Sequence, residues 1–139
     1  MRILIAMDES GHSLKAVETL SRSMQPANSQ VLLLHVLDPP GIVEPDQSLW
    51  KREEQAKNFL QNASAQLQSA GFKDIEIRVA DGEVPSRIVE VAHQWKADFV
   101  VLGSLGRTGL VGTLLGSVAE FVARHAGCSI MIVRKPVYR

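Results

Sequence analysis

The chain has a single cysteine, Cys128. One thiol excludes an internal disulfide, and without clustered histidines it excludes a structural zinc site. Cys128 sits in an apolar run and reads as a small buried hydrophobe on a strand rather than as a nucleophile. Excess charge is also missing, since 15 Lys and Arg are matched by 15 Asp and Glu. No basic field is available to hold nucleic acid, and no polybasic tract to meet an anionic membrane. Long hydrophobic runs are absent too. None approaches the roughly 18–20 apolar residues of a membrane span, and the apolar stretch at residues 2–7 is too short for a signal-peptide core. A cytoplasmic location is therefore expected. The four histidines, His12, His35, His93 and His125, are scattered, and no pair has metal-ligand spacing.

What is present is regular alternation. The 139 residues, 45% of them hydrophobic, suit one domain over 1–139 with a sizeable core. Residues 2–7 and 31–37 are apolar runs of the kind buried on both faces of a parallel sheet. Residues 75–79 alternate, as an edge strand does, and 97–102 and 129–133 complete five strands. Between them lie helical patterns. The first carries Leu14, Val17, Leu20 and Met24 after Ser10, and the second carries Leu49, Ala56, Phe59, Leu60, Ala63, Leu67 and Ala70. Gly71-Phe72 reads as its stop, with glycine in the left-handed position. Pro85 opens the third helix, which carries Val84, Ile88, Val91, Ala92 and Trp95. The fourth carries Leu115, Val118, Phe121 and Val122, and its basic Arg124-His125 before Gly127 marks a C-terminus. A β-α-β-α-β-α-β-α-β order with right-handed crossovers predicts an α/β fold, a doubly wound five-stranded parallel sheet with helices on both faces.

Ligands of such sheets bind beyond the carboxyl ends of the strands. The segment after the fourth strand holds five glycines, Gly103, Gly106, Gly109, Gly112 and Gly116, within fourteen residues. Glycine lets successive N–H groups converge on an anion, and the helix behind adds its dipole. Ser104, Thr108, Thr113 and Ser117 offer hydroxyls there, and Arg107 is the segment's cation. A neutral protein needs such a local device to grip phosphate. The segment has no lysine, which excludes a Walker loop, and a dinucleotide fingerprint would follow the first strand instead. Glycine content alone leaves a surface loop with helix-packing glycines equally open.

The spacing Gly103, two residues, Gly106, nine residues, Gly116-Ser117 resembles the ATP-binding signature of the universal stress protein family. The likeness extends over the chain. Ile5-Ala6-Met7-Asp8-Glu9-Ser10 is similar to the end of the family's first strand, and His35-Val36 to the close of its second. Gly82 and Pro85 are similar to its third-helix entry, and residues 129–133 to its last strand. The resemblance implies a Rossmann-like fold of that family's type, binding ATP with Mg²⁺. It implies that Leu102, Gly103, Gly106, Arg107, Gly116, Ser117 and Val118 surround the phosphates and ribose. Ala6, Met7 and Asp8 would meet the adenosine, and Val36 would flank the adenine. Leu105 departs from the polar residue often found there, implying one phosphate contact fewer. The resemblance also implies a homodimer, in line with the exposed edge that the final strand would leave.

Residue chemistry separates the remaining functions. A nucleotide-responsive stress or signalling module needs only the binding site. A slow ATPase or autophosphorylating enzyme needs a water-orienting group and a cation, and Arg107 alone supplies the latter. A dimeric interaction platform that had lost its nucleotide would be expected to have lost its glycines. A phospho-accepting receiver domain would use Asp8, Glu9, Asp81 and Lys135, but it needs no glycine cradle, and an edge strand would hold Asp81 far from Asp8. Asp8 reads as a ligand to a ribose hydroxyl or to water-bridged Mg²⁺, or else as a helix cap. His35 reads as a hydrogen-bonded core histidine, and Trp50 as a lid or a staple.

Overall fold

The computed structural model describes residues 1–8, 11–38, 49–104 and 116–134, the side chain of His12 excepted. Five strands alternate with four helices: β1 (Arg2–Ala6), α1 (Gly11–Ser23), β2 (Gln30–Leu37), α2 (Leu49–Ser69), β3 (Asp74–Asp81), α3 (Val84–Trp95), β4 (Phe99–Gly103), α4 (Ser117–His125) and β5 (Ser129–Val133). All pairings are parallel, in the order β3-β2-β1-β4-β5. β1 is central, and Ile3, Leu4 and Ile5 are each 0% exposed, which is why its sequence is apolar without alternation.

The strand order dictates where the helices lie. From β1 the chain steps to β2 and β3, then returns past β1 to β4 and β5. Right-handed crossovers running in opposite directions place their helices on opposite faces. Two cores result. Ala16, Val17 and Leu20 of α1 and Leu60, Ala63 and Leu67 of α2 pack with Ile3, Ile5, Val31 and Leu33. Ile88, Val91 and Ala92 of α3 and Ala119 and Val122 of α4 pack with Leu4, Leu32, Leu34, Val100 and Leu102 on the other side.

Helix ends follow their local chemistry. At the end of α2, the Phe72 N–H donates to the Leu67 carbonyl at 3.1 Å and the Gly71 N–H to the Gln68 carbonyl at 3.0 Å. This paired closure requires positive φ at the glycine, and Gly71 has φ +104°. Phe72 then turns back into the core beside Leu67. Pro85 falls in the first turn of α3, where a missing N–H costs nothing. α4 ends at His125, with Arg124 and His125 in its last turn as expected, and Ala126 leaves it in extended conformation, with φ −70° and ψ 134°.

Several boundaries and faces also shift. β3 runs from Asp74 to Asp81, longer than 75–79, because it pairs with β2 along eight residues. β4 begins at Phe99 rather than Ala97, since Asp98 turns its carboxylate to the Arg2 N–H at 2.7 Å. The Arg2 guanidinium lies 4.2 Å from the centroid of the Trp95 ring and donates to the Trp95 carbonyl, so Trp95 is half-buried rather than deep core. Leu14 and Leu49, expected on buried stripes, are exposed. The α1 stripe runs through Ser13, Ala16, Val17 and Leu20 instead, and that of α2 begins at Ala56. Cys128 is half-buried in the turn before β5 rather than on the strand.

A Gly71→Ala substitution would set a Cβ 3.3 Å from Pro26 Cγ while keeping φ at +104°. It is expected to destabilise the fold by roughly 1–2 kcal/mol, read from the urea midpoint at constant slope. An unchanged midpoint would show that the α2 closure tolerates a side chain.

Candidate functional site

From the adjacent strands β1 and β4 the chain leaves in opposite directions along the sheet, to β2 by way of α1 on one face and to β5 by way of α4 on the other. Such a switch point leaves a crevice at the carboxyl ends of the two strands. The register Ile5↔Val101 carries Ala6 and Met7 alongside Leu102 and Gly103. The Ser104 N–H continues the sheet by donating to the Val133 carbonyl at 2.9 Å, and the Ser104 carbonyl accepts from the Gly116 N–H at 2.6 Å. This last bond ties the end of β4 directly to the start of α4. Gly103, Gly116, Ser117 and Val118 are thereby brought to the same end of the sheet as Ala6, Met7 and Asp8. Gly106 and Arg107 lie outside the described residues, as do Glu9 and the other glycines between residues 104 and 116.

The residues named from sequence divide by exposure. Met7, Val36 and Leu102 are buried at 4%, 7% and 3% exposure; their side chains fill the two cores rather than lining a crevice. Met7 has its backbone engaged as well, its N–H donating to the Leu34 carbonyl. Ala6, Asp8, Gly103, Gly116 and Val118 are partly accessible, and Ser117 is exposed. Among the described residues named for the site, these six are the solvent-accessible ones.

The start of α4 leaves backbone N–H groups without a partner inside the helix. Gly116 is its N-cap, with φ −72° and ψ 162°, and supplies no side-chain cap. The Glu120 N–H is the first to find the Gly116 carbonyl, at 3.0 Å. The N–H groups of Ser117, Val118 and Ala119 precede it and have no intrahelical acceptor. They point out of the helix with the positive end of its dipole behind them.

Across the crevice, the end of β1 is held by hydrogen bonds that the sequence pattern does not announce. The Asp8 N–H donates to Ser13 Oγ at 3.1 Å, and His35 Nδ1 lies 2.6 Å from the Met7 carbonyl oxygen. His35 is thus the hydrogen-bonded histidine expected. Ser13 was not foreseen; its one signal is a polar residue on the otherwise apolar buried stripe of α1. Trp50 is 71% exposed, which removes the staple reading. Asp81 ends β3 at the sheet edge with β2 between it and β1, so the acidic cluster of a receiver domain is not assembled. Among the described residues, no three His, Cys, Asp or Glu side chains group as metal ligands. No helix among them is long and apolar enough to cross a membrane. Cys128 lies away from the crevice, and burial, reinforced by the nearby Asp98 charge, raises its thiol pKa above the ordinary value.

Comparison with known proteins agrees with this architecture. A universal stress protein of Methanocaldococcus jannaschii is 32% identical over 141 aligned residues, covering 97% of this chain and 82% of the relative. A second protein of the same organism, solved in a study assigning its biochemical function from structure, superposes with a TM-score of 0.83 at 27% identity. That match covers 99% of this chain and 97% of the other. A universal stress protein solved in complex with cAMP superposes with a TM-score of 0.75 at 27% identity, covering 98% of each chain. The sequence model of the universal stress protein family matches residues 1–134, and the chain belongs to that family.

Proposed function

We propose that the crevice between β1 and β4 binds ATP, and that the protein is a nucleotide-responsive stress or signalling module. The observation that carries this reading is the glycine-capped start of α4, tied to the end of β4 by the Ser104–Gly116 bond and lying at the same end of the sheet as Asp8. The uncapped N–H groups of Ser117 and Val118 suit a phosphate, and the glycines at positions 103 and 116 leave room for it to approach the backbone. Asp8 offers an acceptor to a ribose hydroxyl or to water around Mg²⁺. The cAMP complex of a family member at 27% identity supports an adenine nucleotide as the ligand. In this reading Gly106 and Arg107 close the cradle over the phosphates, while Met7, Val36 and Leu102 shape its floor through the backbone and the core.

The test is calorimetric titration with ATP, with and without Mg²⁺, together with identification of any nucleotide that co-purifies. One saturable site per chain is expected; no binding at millimolar ATP would overturn the reading. A Ser117→Asp variant adds a check whose two effects have opposite signs. A carboxylate in the first turn of α4 should stabilise the helix by about 0.5 kcal/mol through the dipole while weakening ATP binding about tenfold by occupying the anion position. Loss of both stability and affinity would indicate simple damage instead.

The two edges of the sheet support a second proposal, a homodimer formed through β5. β3 carries Asp74, Glu76, Arg78 and Asp81 along one edge, and such charges block strand pairing. β5 is Ser-Ile-Met-Ile-Val with no charge, and Ile130, Met131 and Ile132 remain half-exposed. A second copy would cover that apolar edge. Met131→Lys is expected to shift sedimentation velocity toward the monomer while leaving unfolding cooperative, and an unchanged dimer would place the interface elsewhere.

A further inference from the structure

We infer that His35 and Ser13 are a pair of positioning residues that clamp the Met7–Asp8 peptide group and so present Asp8 to the crevice, an inference that rests on the nucleotide-binding reading. The Met7 carbonyl and the Asp8 N–H belong to one rigid plane. A plane linked to the chain only through its two Cα atoms keeps one soft motion, rotation about the line joining them, which changes ψ of Met7 against φ of Asp8. Here both ends of the plane are held. His35 Nδ1 is 2.6 Å from the oxygen, and Ser13 Oγ is 3.1 Å from the nitrogen. Each bond resists that rotation, and together they anchor the plane to β2 and α1, so the position of Asp8 Cα at one end of it is held from two sides.

The partners come from two different elements, His35 from β2 and Ser13 from α1. Both are firmly seated. His35 stands in the ladder with Val79, and Ser13 is 3% exposed on the buried stripe of α1. A carbonyl oxygen can only accept, so the His35 ring carries its proton on Nδ1 whether neutral or charged. The hydroxyl of Ser13 receives the amide hydrogen and keeps its own proton for another acceptor. The peptide lies just past the last β1–β2 register pair, Ala6↔Leu34, where the Met7 N–H bond to the Leu34 carbonyl ends the backbone ladder. From that point side chains take over from the sheet in holding the chain. Asp8 is the first residue beyond it, and its reach into the crevice depends on where this peptide is anchored.

The experiment compares wild type, His35→Leu, His35→Asn and Ser13→Ala by ATP titration, with chemical denaturation to confirm that each is folded. Asparagine can place its amide N–H near the position of the ring Nδ1–H, so it should restore what leucine removes. His35→Leu is expected to weaken ATP about fivefold, the net value of one hydrogen bond, and His35→Asn to stay within about twofold of wild type. Ser13→Ala should weaken ATP several-fold and speed hydrogen exchange at the Asp8 amide roughly tenfold. A role confined to stability would instead lower the denaturation midpoint of His35→Leu and leave the affinity of the folded protein unchanged, and that result overturns the inference. Nitrogen-detected NMR of the ATP-free wild type decides the geometry separately. The expected neutral ring is the Nδ1–H tautomer, and an Nε2–H tautomer with slow Asp8 exchange intact in Ser13→Ala also overturns it. Failure of wild type to bind ATP would sink the nucleotide reading, whereas the tautomer and exchange measurements would still judge the clamp.

Discussion

Strand order reverses at β1, and the rest of the molecule depends on that reversal. Crossover connections between parallel strands keep one hand, so the step from β3 back to β4 moves the helices to the other face. One consequence is a central strand whose middle, Ile3-Leu4-Ile5, is wholly apolar, because β1 is covered by α1 and α2 on one side and α3 and α4 on the other. Another is a gap. The chain leaves β1 and β4 in opposite directions, and nothing in the ladder fills the space beyond their carboxyl ends. The bond from Gly116 N–H to Ser104 carbonyl then brings a helix start to that gap with its first-turn N–H groups turned outward.

The charge balance of the chain and the form of this site are two sides of one constraint. A protein with 15 positive and 15 negative side chains has no long-range field to gather phosphates. In the proposed reading backbone dipoles would do the work at close range, best where a helix begins at a glycine that has no capping side chain of its own. Local capture of this kind needs a well-defined opposing wall, because a dipole's pull fades within a turn. The double hydrogen bonding at the Met7–Asp8 peptide would supply such a wall from elements that belong to the other half of the fold.

Much of the architecture was legible in the sequence because burial on two faces leaves a direct trace. Residues 31–37 and 2–7 are apolar runs because their strands are covered on both sides, and Gly71-Phe72 showed its closure because only a glycine takes φ +104° there. The exact strand limits were less legible. β3 outruns its apolar core by pairing along β2, and β4 starts late because Asp98 is drawn to the Arg2 N–H; both are tertiary effects that local pattern does not encode. The glycine spacing pointed to the carboxyl ends of β1 and β4, where the switch-point crevice lies. It did not reveal that Met7, Val36 and Leu102 turn their side chains into the cores, since a strand's apolar residues read alike whether a ligand or a helix covers them. Ser13 was hidden for a related reason: its partner is a backbone N–H, which has no letter in the sequence.

The account stands on where the phosphates go. Amide NMR of the protein titrated with ATP reports that location residue by residue. The largest shifts are expected at Ser117, Val118, Ala119, Gly103 and Asp8, at the start of α4 and the ends of β4 and β1. Shifts concentrated at the opposite end of the sheet, around Asn28, Lys73 and Asp74, or none at all under saturating ATP, would contradict it.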